Sequence, residues 1–146
     1  MNFEFSDEEV YLLELINRTR ANPDAESTRT GVDLRNGLSA DQLSIYGPRE
    51  PLAFNENLET AARAHTEDMN TQNYFSHTSP NGDGPTQRTT KAGYVGWAAE
   101  NIAAGQASIY QAHLGWLQSL GHRLNILSLY PSGLNAAYTE VGLGIK

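Results

Sequence analysis

The closing stretch YTEVGLGI, residues 138–145, constrains the fold more tightly than any other part of the chain. Val141, Leu143 and Ile145 alternate with Gly142 and Gly144, the period of two expected of a strand. One face of that strand carries apolar side chains. The other is bare, which allows close approach of a neighbour.

The rest of the chain reads mostly as helix. FSDEEVYLLELINRTRANP opens with Ser6 and Glu9, the spacing of a capping box, and Asp7, Glu8 and Glu9 suit the positive end of a helix dipole. Val10, Leu12, Leu13, Leu15 and Ile16 supply its apolar face. Asn22-Pro23 is expected to stop it. The sequon Asn17-Arg18-Thr19 lies inside this helix and reads as chance. Residues 24–50 show weak periodicity and are expected to form a surface segment of short turns or helical pieces. PLAFNENLETAARAHTEDMNTQN gives the clearest helix, with Leu58, Ala61, Ala62, His65 and Met69 on one face. His65 on such a stripe is expected to be a hydrogen-bonded core or boundary histidine. TQRTTKAGY predicts a short helix ended by Gly93. GWLQSLGHRLNIL predicts a helix, a stop at Gly121, and a second short helix opened by His122.

Helices followed by short strands mixed with helices fit an α+β sandwich, with helices on a small antiparallel sheet. The chain of 146 residues suits one domain, residues 1–146. It has no cysteine, which removes disulfides, thiolate metal sites and cysteine nucleophiles. Its net charge of −7 and scattered basic residues argue against nucleic-acid binding. No apolar run reaches the roughly 20 residues of a membrane span. The acidic N-terminus, MNFEFSDEEV, does not have the form of a signal peptide.

Three residues stand out for chemistry. His77 follows an aromatic pair, Glu100 sits in the apolar stretch WAAENIAAG, and His122 follows Gly121. Two imidazoles and a carboxylate suit a divalent ion such as zinc, with water completing its shell. They equally suit proton transfer near neutral pH. A carboxylate among Trp97, Ala98, Ala99, Ile102 and Ala103 is costly to bury without a partner. Each residue also has a purely structural reading, which for Glu100 is a salt bridge to a nearby Lys or Arg.

Read together, YFSHTSPNGDGP, RTTKAGYVGWAAENIA, GWLQSLGHRLNIL and YTEVGLGI resemble the CAP superfamily, also called SCP-like. The likeness is to its bacterial branch, where FSH, GENI, SPGHRxNIL and TE[IV]GVG recur in this order. LLELINRTRANP and LAFNENLETAARAHTEDM resemble that branch's first two helices. The resemblance covers nearly the whole chain outside residues 24–50. It implies a three-layer α-β-α sandwich with a central antiparallel sheet and a surface cleft lined by two histidines and two glutamates, binding zinc in some members. His77, Glu100 and His122 match three of these, and all three are carried over as metal ligands. Glu100 and His122 are the candidate catalytic groups. Gln118 or Ser119 stands where the second acid would be, and Ser119 is carried over as a cleft-lining residue. With one carboxylate fewer, divalent metal is expected to bind weakly. Glu140 is an extra carboxylate expected in a peripheral ion pair, and His113 is expected at the surface.

The resemblance further implies an extracellular, monomeric domain. The first functional reading is a binding module for a metal, lipid, peptide or glycan. The second is a metal- or histidine-dependent hydrolase of peptidase type. The third is a polar cluster that only fixes the loops of the cleft.

Overall fold

The computed structural model describes residues 4–130 and 137–146. Residues 1–3, part of the acidic N-terminal stretch, and residues 131–136 lie outside them. The first helix, α1 (Asp7–Ala21), begins as the capping box requires: Glu9 N donates to Ser6 Oγ at 3.2 Å and Ser6 N donates to Glu9 Oε2 at 2.7 Å. Leu12, Leu15 and Ile16 are buried, while Val10 faces solvent and is not part of the apolar face.

Asn22-Pro23 ends α1 but also starts the next helix, α2 (Pro23–Thr30). Proline fits the first helical position because its missing N–H would be unpaired there anyway, and the Asn22 side chain caps Ala25 N at 3.0 Å. Residues 24–50 are therefore more than surface loop. They include α2 and α3 (Ala40–Ser44), and Leu34 between them is fully buried. The sequon is put to other use: Asn17 Nδ2 donates to Leu52 O at 3.0 Å and Leu52 N donates to Asn17 Oδ1 at 2.8 Å.

After β1 (Ala53–Phe54) come α4 (Glu56–Gln72) and α5 (Pro85–Lys91), then α6 (Ile109–Gln118), α7 (Leu120–Ile126) and β2 (Glu140–Val141). Gly93, at φ +96°, follows α5 as expected. Gly121 is no stop: Ser119, with extended backbone, separates α6 from α7, and Gly121 and His122 lie within the first turn of α7.

The expected antiparallel central sheet is not what the described residues form. They hold helices and one two-residue parallel pair, with Ala53 opposite Glu140 and Phe54 opposite Val141. The glycine pattern explains why pairing stops so soon. A Cβ on Gly142 would stand 2.0 Å from Leu58 C, and one on Gly144 would stand 2.5 Å from Ala62 O. The bare face is thus pressed on the α4 backbone, where no other residue fits. Groups of α4 replace a neighbouring strand: Leu143 N donates to Glu59 Oε2 at 2.6 Å, and Thr66 Oγ1 donates to Gly144 O at 3.1 Å. Burial pushes the Glu59 carboxyl up to about 7, whereas Glu9, beside the Arg63 guanidinium it shares with Glu59, is held down at about 2 despite burial.

The core joins α1, α6 and α7 through Leu12, Ile16, Trp116, Leu117 and Ile126, with Leu34 packed among them. A fully buried leucine such as Leu117 contributes roughly 2–3 kcal/mol. Arg20 is also fully buried, and among the described residues it is held by carbonyl and hydroxyl oxygens. Its guanidinium donates to the carbonyls of Glu50 (2.9 Å), Ile126 (2.8 Å) and Tyr138 (2.9 Å), tying α1 to three distant segments. Burial pushes its pKa down to about 10, still well above neutrality.

Candidate functional site

Four pieces of chain meet around one carboxylate. The turn after α4 supplies His77, α4 itself supplies His65, α5 supplies Arg88, and the extended stretch before α6 supplies Glu100. His77 Nδ1 lies 2.8 Å from Glu100 Oε1, and Arg88 Nη2 lies 2.5 Å from Glu100 Oε2. His65 Nε2 stands further off, 3.8 Å from Oε1. A carboxylate only accepts hydrogen bonds, so His77 presents its proton on Nδ1 and keeps Nε2 for whatever approaches. The His77 side chain is 51% exposed and that of Glu100 17%. The glutamate is the fixed wall and the imidazole is the reachable group.

Arg88 does more than neutralise Glu100. Its Nη1 donates to His77 O at 2.8 Å, Asp83 O at 2.9 Å and Ser79 Oγ at 3.3 Å. It therefore fixes the turn 77–83 and the carboxylate together. Nothing in its sequence context marks it except position: an arginine four residues into a short helix, ahead of an acid set in an apolar stretch. His65 is buried and hydrogen-bonded, as expected. Ser76 O accepts from its Nε2 at 3.0 Å, and the Tyr74 and Ser79 hydroxyls lie 3.5 and 3.4 Å from Nδ1. Burial lowers its pKa, and Arg88 lowers it further against the pull of Glu100.

His122 is near this group without joining it. Its ring lies near-parallel to Trp116 at 6.5 Å, and its buried Nδ1 has no hydrogen-bond partner among the described residues. Burial lowers its pKa, and repulsion from His77 lowers it further. Ser119 is a half-buried hinge between α6 and α7. Gln118 is exposed.

The stretch from Trp97 to Glu100 separates two spaces. Outside it lies an open cleft of about 630 Å³, lined by His77, Gln87, Trp97, Glu100, Asn125 and Tyr130 among others. Behind it lies a larger, mainly apolar cavity of about 820 Å³ between α1 and α4, reached by Leu58, Ala62, Ile102 and Leu143. His122 and Ser119 line neither. Glu140 borders the apolar cavity, and its hydrogen bonds are to neutral donors, Asn55 Nδ2 at 2.9 Å and the Tyr94 hydroxyl at 3.2 Å, rather than to a cation. His113 is not at the surface. It is 0% exposed, and its Nε2 lies 3.1 Å from Thr19 Oγ1.

A family model described as "Cysteine-rich secretory protein family", CAP, matches residues 13–146. The chain belongs to the CAP family. It is 32% identical over 136 residues to the uncharacterized protein YkwD of Bacillus subtilis, an alignment covering 86% of this chain and 50% of that protein. It is 35% identical over 96 residues to the uncharacterized membrane protein YlbC of the same organism, covering 64% of this chain and 25% of that one. A solved structure, described as an extracellular protein containing a SCP domain from Bacillus anthracis, superimposes with a TM-score of 0.61 at 25% identity. That likeness covers 99% of this chain and 42% of the other. The chain thus spans half or less of the length of these relatives.

Of the three residues carried over as metal ligands, His77 and Glu100 are in direct contact, and His122 makes no hydrogen bond to either. Among the described residues no group of three or more His, Asp or Glu side chains is disposed to hold a metal ion. Both oxygens of Glu100 are already engaged, one by an imidazole and one by a guanidinium. A divalent ion there would share Oε2 with the Arg88 guanidinium, a like charge, and Oε1 with His77. Among the described residues no helix is long and apolar enough to cross a membrane.

Proposed function

We propose that this CAP domain is an extracellular binding module whose open cleft, at His77 and Glu100, takes an organic ligand without a metal. The observation that carries this reading is the double engagement of Glu100. A carboxylate held at 2.8 Å by His77 and 2.5 Å by Arg88 is neutralised and immobile. It orients His77, and each of its oxygens already accepts one hydrogen bond. His77 Nε2 then serves as a hydrogen-bonding group toward a ligand. The extracellular setting draws support from the Bacillus anthracis protein of the same fold, which is described as extracellular. Any divalent ion here would gather His77 Nε2 and water and bind weakly.

The test is amide NMR of the domain titrated separately with neutral oligosaccharides, short peptides and lysophospholipid, each with and without chelator. Saturable shifts centred on residues 77, 97 and 100 are expected for one class, unchanged by chelator. No such shifts in any class, shifts abolished by chelator, or turnover of the added compound would overturn the reading. Calorimetry supplies the metal arm: micromolar zinc binding that disappears in His77→Ala would also overturn it.

A further inference from the structure

Trp97 and Tyr130 line the same cleft as His77 and Glu100, and the His/Glu group does not account for them. Trp97 is 53% exposed, unusually open for so large an apolar side chain. Its ring stacks on Tyr138 at 6.1 Å and 23°, and Tyr138 meets Tyr130 edge-on at 6.5 Å and 75°. Tyr130 is anchored in turn, its hydroxyl donating to Asn125 Oδ1, while Asn125 Nδ2 donates to Asn101 Oδ1 at 2.8 Å and Glu100 O at 3.3 Å. The residue after Trp97 is pinned too, with Ala98 N donating to Thr86 Oγ1 at 3.3 Å. The tryptophan is therefore a rigid platform with Tyr138 against it, beside a row of planar polar groups: Gln87, Glu100, Asn125 and His77 all line the same cleft.

We infer that the cleft binds a neutral saccharide, one pyranose ring lying on Trp97 and its hydroxyls reaching His77 and Gln87. This rests on the binding-module reading and names its ligand class. A pyranose has a face of C–H bonds, weakly positive, that suits the negative face of an indole, and a rim of hydroxyls that suits planar donors and acceptors. A lipid chain would find polar groups along its path here, and burying them unpaired is costly. Charge selects the neutral class. The domain carries −7. Arg88, the cation nearest the carboxylate, has its terminal nitrogens spent on Glu100, His77 O, Ser79 Oγ and Asp83 O. Sulfated or carboxylated sugars would meet no Lys or Arg among the described residues that line the cleft.

The experiment titrates the domain with cellotetraose, chitotetraose and a heparin-derived tetrasaccharide, reading tryptophan fluorescence and calorimetry. Saturable binding of at least one neutral tetrasaccharide is expected, with the anionic one at least tenfold weaker. Trp97→Ala weakens it by about tenfold or more, and Trp97→Phe, which keeps an aromatic face, by about threefold. Val95→Ser, at a side chain 96% exposed, leaves affinity unchanged. The other tryptophan, Trp116, is buried and donates to Ile102 O at 3.1 Å, so loss of the fluorescence response in Trp97→Phe identifies the reporting ring. No saturable binding of either neutral sugar, or binding untouched by Trp97→Ala, would overturn the inference. If sugars fail while peptides or lysophospholipid still shift residues 77, 97 and 100, the saccharide is wrong and the binding module stands. If nothing shifts them, both fall.

Discussion

Glu26 and Glu100 keep nearly the same company. Each is paired with arginine, and each has histidine nearby. Glu26 takes a two-pronged contact from Arg18, at 2.7 and 2.9 Å, and a second contact from Arg29, with His113 Nε2 at 3.9 Å. Burial pushes the Glu26 carboxyl up, but the two guanidiniums outweigh it and hold it below the usual range. Glu100 takes one arginine and one close histidine. The difference lies in what reaches water. In the first group the carboxylate and the imidazole are both 0% exposed, and only the arginine side chains reach out. In the second the arginine is the covered member and the imidazole is half exposed. One set of side-chain types thus serves two ends, a buried tie between α1, α2 and α6 and a presented histidine at a cleft. Which of the two groups includes the reachable imidazole decides which can meet a ligand.

The sharpest way to break this comparison is Glu26→Ala. It strands two guanidiniums, leaves His113 without its acid and opens a cavity, so unfolding free energy should fall by about 3–5 kcal/mol. Urea denaturation at pH 7 measures it. A loss below about 1 kcal/mol would mean that the buried group is no tie at all and behaves as a surface ion pair.

Acid is the next lever. Burial pushes His113 down to about 4, with Glu26 pulling it up and Arg18 pushing it further down. Its Nε2–H is used on Thr19 Oγ1, whose own proton goes to Leu15 O at 3.1 Å, and Nδ1 is buried without a partner among the described residues. A proton on Nδ1 would thus be an unpaired buried donor. The folded value lies below that of the unfolded chain, near 6.5, so the unfolded state takes up the proton first. Stability is then fully present above pH 6.5 and lost as pH falls toward 4, by about 3 kcal/mol in all. Burial also lowers His65 and His122 in the same direction, so the signature of His113 is a difference. His113→Gln should unfold with a shallower acid limb, its unfolding taking up as much as one proton fewer between pH 6.5 and 4. An acid limb identical to that of the unaltered protein would place His113 in contact with solvent, as the sequence had suggested.

That reversal shows where sequence reading succeeds in this molecule. The α1 capping box, the α4 stripe and the glycine alternation are local or periodic, and each was legible. The bare face of Gly142 and Gly144 even announced the close approach of α4, though not that a helix would take the place of a strand. Asn22-Pro23 carried two meanings, a stop and a start, and only the cap at Ala25 tells them apart. His113 sits on a helix whose apolar residues are unevenly placed, so no stripe marked it as buried. Its partners, Thr19 and Glu26, are more than eighty residues away in the chain. In the cleft, His77 and Glu100 were legible through family motifs, but Arg88, the residue that settles the charge of Glu100, was not. The same ordered motifs put His122 beside them, near enough to His77 for their charges to repel but outside the hydrogen bonds of Glu100.

The smallest expected effect on stability is also the one that separates a binding cleft from a structural knot. Glu100→Gln keeps the size of the side chain and an oxygen able to accept from His77 Nδ1. Arg88 loses its charged partner but retains His77 O, Asp83 O and Ser79 Oγ as acceptors. Because the imidazole is half exposed and water can reach the pair, the cost should stay below about 1 kcal/mol. The cleft should suffer more than the fold, since an amide beside Arg88 no longer fixes which nitrogen of His77 bears the proton. Saccharide affinity should then drop severalfold while the urea midpoint barely moves. A drop in stability rivalling that of Glu26→Ala, with ligand affinity intact, would make the two carboxylates the same kind of group and reduce the cleft cluster to architecture.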